Sequence, residues 1–377
     1  MMLVLGVYTL FSFLYVIFLG RVRKAWWSLR QANVEQPASV SFPFVTVIVP
    51  VRNEAQHLPD LLNDLLAQDY PDDRWELIVV NDGSADGSAA IAADFFHSHP
   101  NRGGLLNLPD REGGSKKQAV AMAIANAKGE WILTTDGDCR VGPSWLTTMA
   151  QGMSPGRTML AGPVNLVGSP DFLGRLQTAE WIGLQCIGAA GIYRGRNFFC
   201  NGANLAYRKQ AFTESGGFTR SKKRLSGDDT DLLLQFSRSW PGSIGFQSGT
   251  GAIVETFADD GIGSAFSQRH RWASKIPVAL TTFTLLISLI AWLSHAGFLA
   301  ALCIMFCSPL AAFVVLPVFF LKVLAEYLLL KDGADYFGHR VSFGLILAAQ
   351  PFYALYITLV GAAAVFLPYT WKGRKGR

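Results

Sequence analysis

The chain has 377 residues, of which 50% are hydrophobic and only 16% are charged. Soluble domains have about a quarter of their residues charged, so this composition excludes an ordinary soluble enzyme. The net charge of +5 is split among separate basic clusters, which fit anionic lipid headgroups. They do not form the continuous basic stripe by which a protein binds nucleic acid.

Apolar residues 1–20 predict an N-terminal transmembrane anchor, because about 20 such residues cross a bilayer. The alternative, a cleaved signal peptide, would have a basic residue ahead of the apolar run and a small-residue cleavage site after it. Here the basic residues Arg21, Arg23 and Lys24 follow the run. Residues 21–43 are then a juxtamembrane linker. By the positive-inside tendency, the polar block beyond them is cytoplasmic.

Short β-branched runs alternate with amphipathic helical stretches in the polar block 44–275. The segments are 44–49, 54–68, 75–80, 116–128 and 131–135. This alternation predicts right-handed crossovers and an α/β, Rossmann-like domain with a mainly parallel sheet. Ligands of such sheets bind at the carboxyl ends of the strands.

Acidic residues stand at two of these strand ends. Asp82 closes the second strand, and Asp136-Gly137-Asp138 closes the strand that begins at Trp131. Two carboxylates separated by a glycine suit a hard divalent cation whose other ligands are diphosphate oxygens. The alternative is a solvated turn held by a local aspartate hydrogen bond.

A polar run at the edge of the C-terminal apolar region carries Gln268, Arg271 and Trp272. Their spacing puts them on one face of a helix. Arg271 is suited to a bidentate phosphate contact and Trp272 to the flat face of a sugar ring. The same two residues would also serve as an interfacial anchor.

Residues 276–370 predict two to three further spans, followed by a basic tail at 371–377. With spans near 276–294, 297–321 and 343–367, this tail faces outward, against the positive-inside tendency, unless one segment is re-entrant. Interfacial helices are expected near 171–192 and 261–275, although the first would equally pack into a core.

Five motifs occur in the order found in membrane-bound family 2 glycosyltransferases of the GT-A fold, which the chain therefore resembles. They are Val47 to Glu54, Val80 to Ser84, Asp136-Gly137-Asp138, Gly227-Asp228-Asp229 and Gln268-x-x-Arg271-Trp272. The family includes synthases of cellulose, chitin, hyaluronan and poly-N-acetylglucosamine as well as ceramide glucosyltransferase. The resemblance implies a nucleotide-diphosphate sugar donor, most often a UDP-sugar, and inversion at the anomeric carbon.

The resemblance also implies roles for individual residues. Asp138, with Asp136, would hold Mg²⁺ or Mn²⁺, and Asp229, beside Asp228, would be the general base, although both acids would also cap the helix that follows. The implied donor-binding residues are Arg52, Asn53, Glu54, Asp82, Lys116, Lys117, Asp136, Gln268, Arg271 and Trp272. The implied acceptor-binding residues are Cys200, Asn201, Gly202 and Trp272.

Two of these assignments leave alternatives open. Either Lys116 or Lys117 would contact the nucleotide, and both would also suit a solvated helix start. The inserted Asn201 departs from the family's acceptor segment.

Together these features predict an integral protein of the plasma or inner membrane, with a cytoplasmic domain that transfers sugar to a lipid or saccharide hydroxyl. Membrane lipids are the other expected partners. A processive polysaccharide synthase is the alternative, and a catalytically idle membrane scaffold is a third hypothesis.

Overall fold

The computed structural model describes residues 1–34, 42–108, 116–197, 199–218, 228–258, 261, 263, 268–269, 282–366, 369–371 and 374–376. The chain divides into two compact units. The sheet unit comprises Ser28–Val167 and Gly188–Phe257. The helical unit comprises Met1–Trp27, Gly168–Ile187 and Ala258–Arg377.

The described strands and helices are numbered in chain order. The strands are β1 Val45–Val51, β2 Trp75–Asn81, β3 Gly103–Asn107, β4 Trp131–Thr134, β5 Arg140–Val141, β6 Met159–Ala161, β7 Val164–Val167, β8 Leu205–Arg208, β9 Ile244–Phe246, β10 Val254–Phe257, β11 Tyr369–Trp371 and β12 Arg374–Gly376. The helices are α1 Met2–Val34, α2 Leu58–Leu66, α3 Ser88–Ser98, α4 Lys116–Asn126, α5 Trp145–Gln151, α6 Phe172–Tyr193, α7 Lys209–Glu214, α8 Asp228–Ser239, α9 Thr282–Cys307, α10 Ala312–Phe337 and α11 Phe343–Phe366.

The sheet unit is built on a seven-stranded sheet of described strands in the order β3-β2-β1-β4-β8-β6-β9. Strands β3, β2, β1 and β4 run parallel, and β8 is antiparallel to both of its neighbours. Every residue of β2 is buried, as expected of a parallel strand covered on both faces. The predicted mainly parallel α/β sheet is confirmed.

Strand register brings the loops after β1, β2 and β4 to one edge of the sheet. Val51, the last residue of β1, lies opposite Asn81, the last residue of β2. Thr134, the last residue of β4, lies opposite Leu205, the first residue of the antiparallel β8. The segment that precedes β8 therefore reaches the same edge as the three loops.

Four described helices are long and apolar enough to cross a membrane. They are α1, α9, α11 and the helix Pro309–Phe337, which contains α10. The first continues to Val34, beyond the predicted anchor 1–20. The predicted boundaries at 294–297 and at 321 are wrong, because α9 runs through the first and α10 continues past the second to Phe337. Polar side chains marked these positions in the sequence, yet they lie inside helices.

A buried polar network explains why α10 continues past Lys322. The Lys322 side chain is fully buried, and its Nζ donates to Gln350 Oε1 at 2.9 Å and lies 3.2 Å from Glu326 Oε1. Gln350 Nε2 donates to Glu326 Oε2 at 2.6 Å. His295 Nε2 lies 3.7 Å from Glu326 Oε1, and the Tyr15 ring packs edge-on against His295. All four apolar helices thus contribute to one charge-compensated cluster, whose polar residues interrupt the hydropathy of the sequence without ending the helices.

Helix α6 lies in the region predicted to be interfacial or packed into a core. Within the helical unit it packs closely, since a Cβ added at Gly333 of α10 would lie 2.5 Å from Ile182 Cγ2 and 2.8 Å from Cys186 Sγ. Ala179 joins a buried cluster with Val323 and Ile346. The packed alternative therefore describes this part of α6.

Candidate active site at the carboxyl ends of the strands

The loop after β1 is bound to the loop after β2 by hydrogen bonds. Asn53 adopts a left-handed backbone conformation with φ of 58°, which asparagine tolerates better than most residues. Its N–H donates to Ser84 Oγ at 3.1 Å, and its Oδ1 accepts from the Ala85 N–H at 2.8 Å. The Glu54 N–H donates to Ser88 Oγ at 2.8 Å. These hydrogen bonds hold the two loops together where the donor is predicted to bind. Asn53 contributes through its backbone conformation and its side-chain oxygen.

Arg52 and Asp82 are brought together above the ends of β1 and β2. Arg52 Nη1 donates to the Asp82 carbonyl oxygen at 3.3 Å and lies 3.5 Å from Asp82 Oδ2. The Asp82 N–H donates to the Val51 carbonyl oxygen at 2.9 Å, which extends the strand pairing by one residue. The Asp82 carboxylate is thereby held at the strand edge, where ligands of parallel sheets bind.

The Asp136-Gly137-Asp138 turn packs against the end of β1. A Cβ added at Gly137 would lie 2.9 Å from Val51 Cγ1 and 3.2 Å from Glu54 Cγ. The Lys116 ammonium group forms an ion pair with Asp136 Oδ1. A side chain at position 137 would force Val51 to shift, so glycine lets the turn lie against the end of β1 and the loop after it.

Gly137→Ala is expected to displace this turn, because a β-branched neighbour yields little space. Overpacking of this kind costs about 1–3 kcal/mol, and it should lower both the thermal midpoint and the rate of the sugar transfer that the family resemblance predicts. Gly156→Ala is the matched control, since a Cβ there meets no atom within 4 Å. Equal rates for the two variants, measured beside their unfolding midpoints, would contradict the close-approach argument.

Burial raises the pKa of the Cys139 thiol well above its usual value, and the adjacent Asp138 and Asp136 carboxylates raise the pKa further. The Cys139 side chain therefore stays a neutral thiol at neutral pH. The two aspartates supply the negative charge of the turn.

Asp229 lies on the first turn of α8, against the predicted acceptor segment. The Gly202 N–H donates to Asp229 Oδ2 at 3.3 Å, and the Cys200 thiol donates to the Asp229 carbonyl oxygen at 3.5 Å. Thr134 Oγ1, at the end of β4, donates to the Gly202 carbonyl oxygen at 2.7 Å. A chain of direct contacts thus connects the end of β4, which leads into Asp136-Gly137-Asp138, with Asp229.

Asn201 has a local structural contact in this segment. Its Oδ1 accepts from the Ala203 N–H at 2.9 Å and caps a single 3₁₀ turn. This hydrogen bond orders the chain that presents the Gly202 N–H to Asp229. The inserted asparagine therefore shapes the acceptor segment through the backbone.

The two lysines that begin α4 have different partners. Lys116 pairs with Asp136, whereas Lys117 Nζ donates to Asp231 Oδ2 at 2.9 Å. The Lys117 side chain is only 4% exposed and that of Asp231 only 13%. Sequence reasoning left the two lysines equivalent, and the structure distinguishes them by the direction in which each leaves the helix.

The Gln268 run falls in the helical unit. Arg269 Nη1 donates to Gln268 Oε1 at 2.6 Å, and Arg269 Nε donates to Glu180 Oε2 of α6 at 2.9 Å. Burial raises the pKa of Glu180, and the Arg269 guanidinium opposes that rise. Arg271 and Trp272 lie outside the described residues, as does the Asp228 side chain.

Within each of the two units, sequence reasoning missed several residues that bind predicted site residues or their chain neighbours. Ser84 and Ser88 bind the loop after β1, Asp231 binds Lys117, and Glu180 binds Arg269. A third acid in Gly227-Asp228-Asp229-Thr230-Asp231 was the visible signal for Asp231. Ser84 stood in the Val80 to Ser84 motif without an assigned role, and Ser88 and Glu180 leave no local signal because their partners are distant in the chain.

The oxygen ligands at the turn fit a hard divalent cation. Asp138 and Asp136 supply carboxylates from one tight turn, and Mg²⁺ completes its shell with phosphate oxygens and water. Among the residues that the structure describes, no group of three or more His, Cys, Asp or Glu side chains forms a site made of protein ligands alone. A cation here would take its remaining ligands from a bound diphosphate.

Comparisons with known proteins agree with this architecture. A model described as glycosyl transferase family 2 matches residues 46–216. Glycosyltransferase AglE of Haloferax volcanii is 36% identical over 128 residues, which cover 34% of this chain and 39% of that protein. Poly-beta-1,6-N-acetyl-D-glucosamine synthase of Staphylococcus epidermidis is 24% identical over 236 residues, covering 61% of this chain and 53% of the synthase. The chain thus spans about half or less of these relatives' lengths.

A solved structure supports the fold. The mannosyltransferase PcManGT from Pyrobaculum calidifontis, solved with GDP-Man and Mn²⁺, aligns over 95% of this chain and 99% of its own, with a TM-score of 0.52 and 17% identity. At this identity the likeness shows the shared fold alone. The ordered motifs, the strand-end loops and the family match lead to one conclusion: the chain carries a glycosyl transferase family 2 domain with a GT-A-like core.

Proposed function

We propose that the protein transfers a sugar, with inversion, from a nucleotide-diphosphate donor to a lipid or saccharide hydroxyl at a membrane. The observation that carries this proposal is the placement of Asp229. Its carboxylate accepts the Gly202 N–H in the predicted acceptor segment, and that segment is hydrogen-bonded to the end of the strand leading to Asp136-Gly137-Asp138.

The donor would lie over the loops after β1 and β2. Asp82 would accept hydrogen bonds from the base or ribose, and Arg52 holds that aspartate in place. Lys116, paired with Asp136, would face the diphosphate. The known complex of PcManGT with GDP-Man supports a nucleotide-sugar ligand for this fold.

Asp138 and Asp136 would hold Mg²⁺ or Mn²⁺. When bound, the cation neutralises charge that develops on the leaving diphosphate. Because the Lys116 ammonium pairs with Asp136, Asp138 is the carboxylate we assign as the direct ligand. The complex of PcManGT with GDP-Man and Mn²⁺ supports a divalent cation in this fold.

Asp229 would act as the general base. Its carboxylate takes the proton of the acceptor hydroxyl while that oxygen forms a bond to the anomeric carbon. The bond from that carbon to the diphosphate oxygen breaks, and its electron pair leaves with the nucleoside diphosphate. Attack opposite the leaving group inverts the configuration, and positioned base catalysis contributes about 10² to 10⁴ in rate.

Arg271 and Trp272 would complete the site with phosphate and sugar contacts, as the family resemblance implies. The basic residues Arg21, Arg23 and Lys24, which follow the apolar run 1–20 within α1, support a cytoplasmic orientation for the sheet unit. A processive synthase is the second candidate, favoured by the match to poly-beta-1,6-N-acetyl-D-glucosamine synthase. A catalytically idle scaffold remains the hypothesis to exclude.

A product assay tests these alternatives. Purified full-length protein in lipid vesicles would receive radiolabelled UDP-GlcNAc, UDP-glucose or GDP-mannose with Mn²⁺ or Mg²⁺. We expect one product that extracts into organic solvent. A ladder or high-mass polymer would establish the processive alternative, and the absence of transfer from a broad donor panel would contradict the enzyme proposal.

A further inference from the structure

A buried ion pair joins the first turn of α4 to the first turn of α8. Lys117 Nζ lies 2.9 Å from Asp231 Oδ2, and the two side chains are 4% and 13% exposed. Taking both charges out of water is costly, so such a pair is poor evidence for a purely stabilising role. Its location, two residues after Asp229, suggests a role in the site.

The direction of Lys117 follows from helix geometry. Consecutive residues of an α-helix are about 100° apart around the axis, so Lys116 and Lys117 leave the first turn of α4 in different directions. Lys116 reaches Asp136 at the turn, and Lys117 reaches Asp231 on α8. The two lysines thus connect one helix start to both acidic motifs of the sheet unit.

The first turn of α8 is held on two sides. Asp229 and Asp231 are two positions apart and therefore about 200° apart around the helix axis. Asp229 Oδ2 accepts from the Gly202 N–H on one side, and Asp231 accepts from Lys117 on the other. Two contacts on nearly opposite sides oppose rotation of the turn, and rotation would change where the Asp229 carboxylate points.

We propose that Lys117 is a positioning residue, which acts through Asp231 to aim the Asp229 carboxylate at the acceptor hydroxyl. This assignment rests on the proposed function and replaces a nucleotide contact by Lys117. Lys116 is then the lysine that serves the donor. The Lys117–Asp231 pair thus affects the rate of transfer through the position of the Asp229 carboxylate. The pair does not contact the donor.

The test uses full-length Lys117→Met, Asp231→Asn and the double variant, with Lys209→Met as the control. Lys209 is a part-buried lysine of the same unit whose Nζ donates to the Ala127 carbonyl oxygen. For each protein, kcat with UDP-GlcNAc or the best donor of the panel, the Kd of UDP and the unfolding midpoint would be measured.

We expect kcat to fall about 100-fold in each single variant, because a misplacement of about 1 Å has that effect. The Kd of UDP should stay within about twofold of the wild-type value, whereas a lost charge-assisted phosphate contact would change the Kd by about tenfold or more. The double variant should be no slower than either single variant, because both remove the same contact.

Two results would overturn the proposal. A tenfold weaker affinity for UDP in Lys117→Met, with normal affinity in Asp231→Asn, would make Lys117 a donor ligand. Multiplicative losses of kcat in the double variant would show that the residues act independently. A wild-type protein without transferase activity would contradict the proposed function itself, and this is seen before any variant is compared.

Discussion

Asp229→Asn is expected to lower the rate of sugar transfer about 10² to 10⁴-fold while donor binding is retained. The amide cannot take the acceptor proton, but it keeps an oxygen that can accept the Gly202 N–H, a 3.3 Å contact in the native protein. The local backbone should therefore stay in place. Transfer rates and the Kd of UDP, measured on the same protein preparation, check this result.

Asp94→Asn serves as the control for loss of an acid, because Asp94 is an exposed residue of α3 away from the strand-end loops. Its transfer rate should match that of the wild type. Retention of most activity in Asp229→Asn would exclude Asp229 as the base. Loss of UDP binding together with activity would indicate a collapsed site and would require the Asp229→Glu variant to separate charge from structure.

Lys322→Met is expected to destabilise the helical unit by about 3–5 kcal/mol, the usual result of leaving one partner of a buried pair uncompensated. Lys322 is fully buried about 15 Å along α10, and its Nζ lies 3.2 Å from Glu326 Oε1. Methionine fills a similar volume but leaves the Glu326 carboxylate without its counter-charge. Thermal unfolding of the full-length protein in detergent, followed by fluorescence, measures the change.

The double variant Lys322→Met and Glu326→Gln separates charge compensation from packing. Glutamine removes the uncompensated charge and keeps an oxygen that can accept from Gln350 Nε2, which donates to Glu326 at 2.6 Å in the native protein. Much of the lost stability should therefore return. Lys331→Met, at an exposed position of the same helix, should change the midpoint little. Equal destabilisation in the single and double variants would contradict the charge-compensation argument.

The strands that build the site were predictable because their signal is local. Buried β-branched runs marked β1, β2 and β4 to within two residues, and the parallel arrangement then required their following loops to share an edge. The roles of Asp138 and Asp229 came from motif order in the sequence. These roles remain predictions that the Asp229 variant and the donor assays will test.

Helix boundaries in the apolar region were less predictable. His295 and Lys322 interrupt the hydropathy pattern, so the sequence favoured chain breaks at both positions. Lys322 pairs with Glu326 one turn along its own helix and donates to Gln350 on α11, and His295 Nε2 lies 3.7 Å from Glu326 Oε1. A hydropathy profile counts each residue alone and therefore misses such compensation.

The amino-acid sequence by itself predicted the match to a glycosyl transferase family 2 domain, the mainly parallel sheet and the strand ends that carry Asp82 and Asp136-Gly137-Asp138. It also predicted apolar helices before and after the polar block in the chain. Only the tertiary structure decided that Lys116 pairs with Asp136 while Lys117 pairs with Asp231, a residue 114 positions away in the chain. The reason is that sequence periodicity and turn residues reflect contacts between residues only a few positions apart in the chain. Partners of buried charges are chosen by the packing of distant segments.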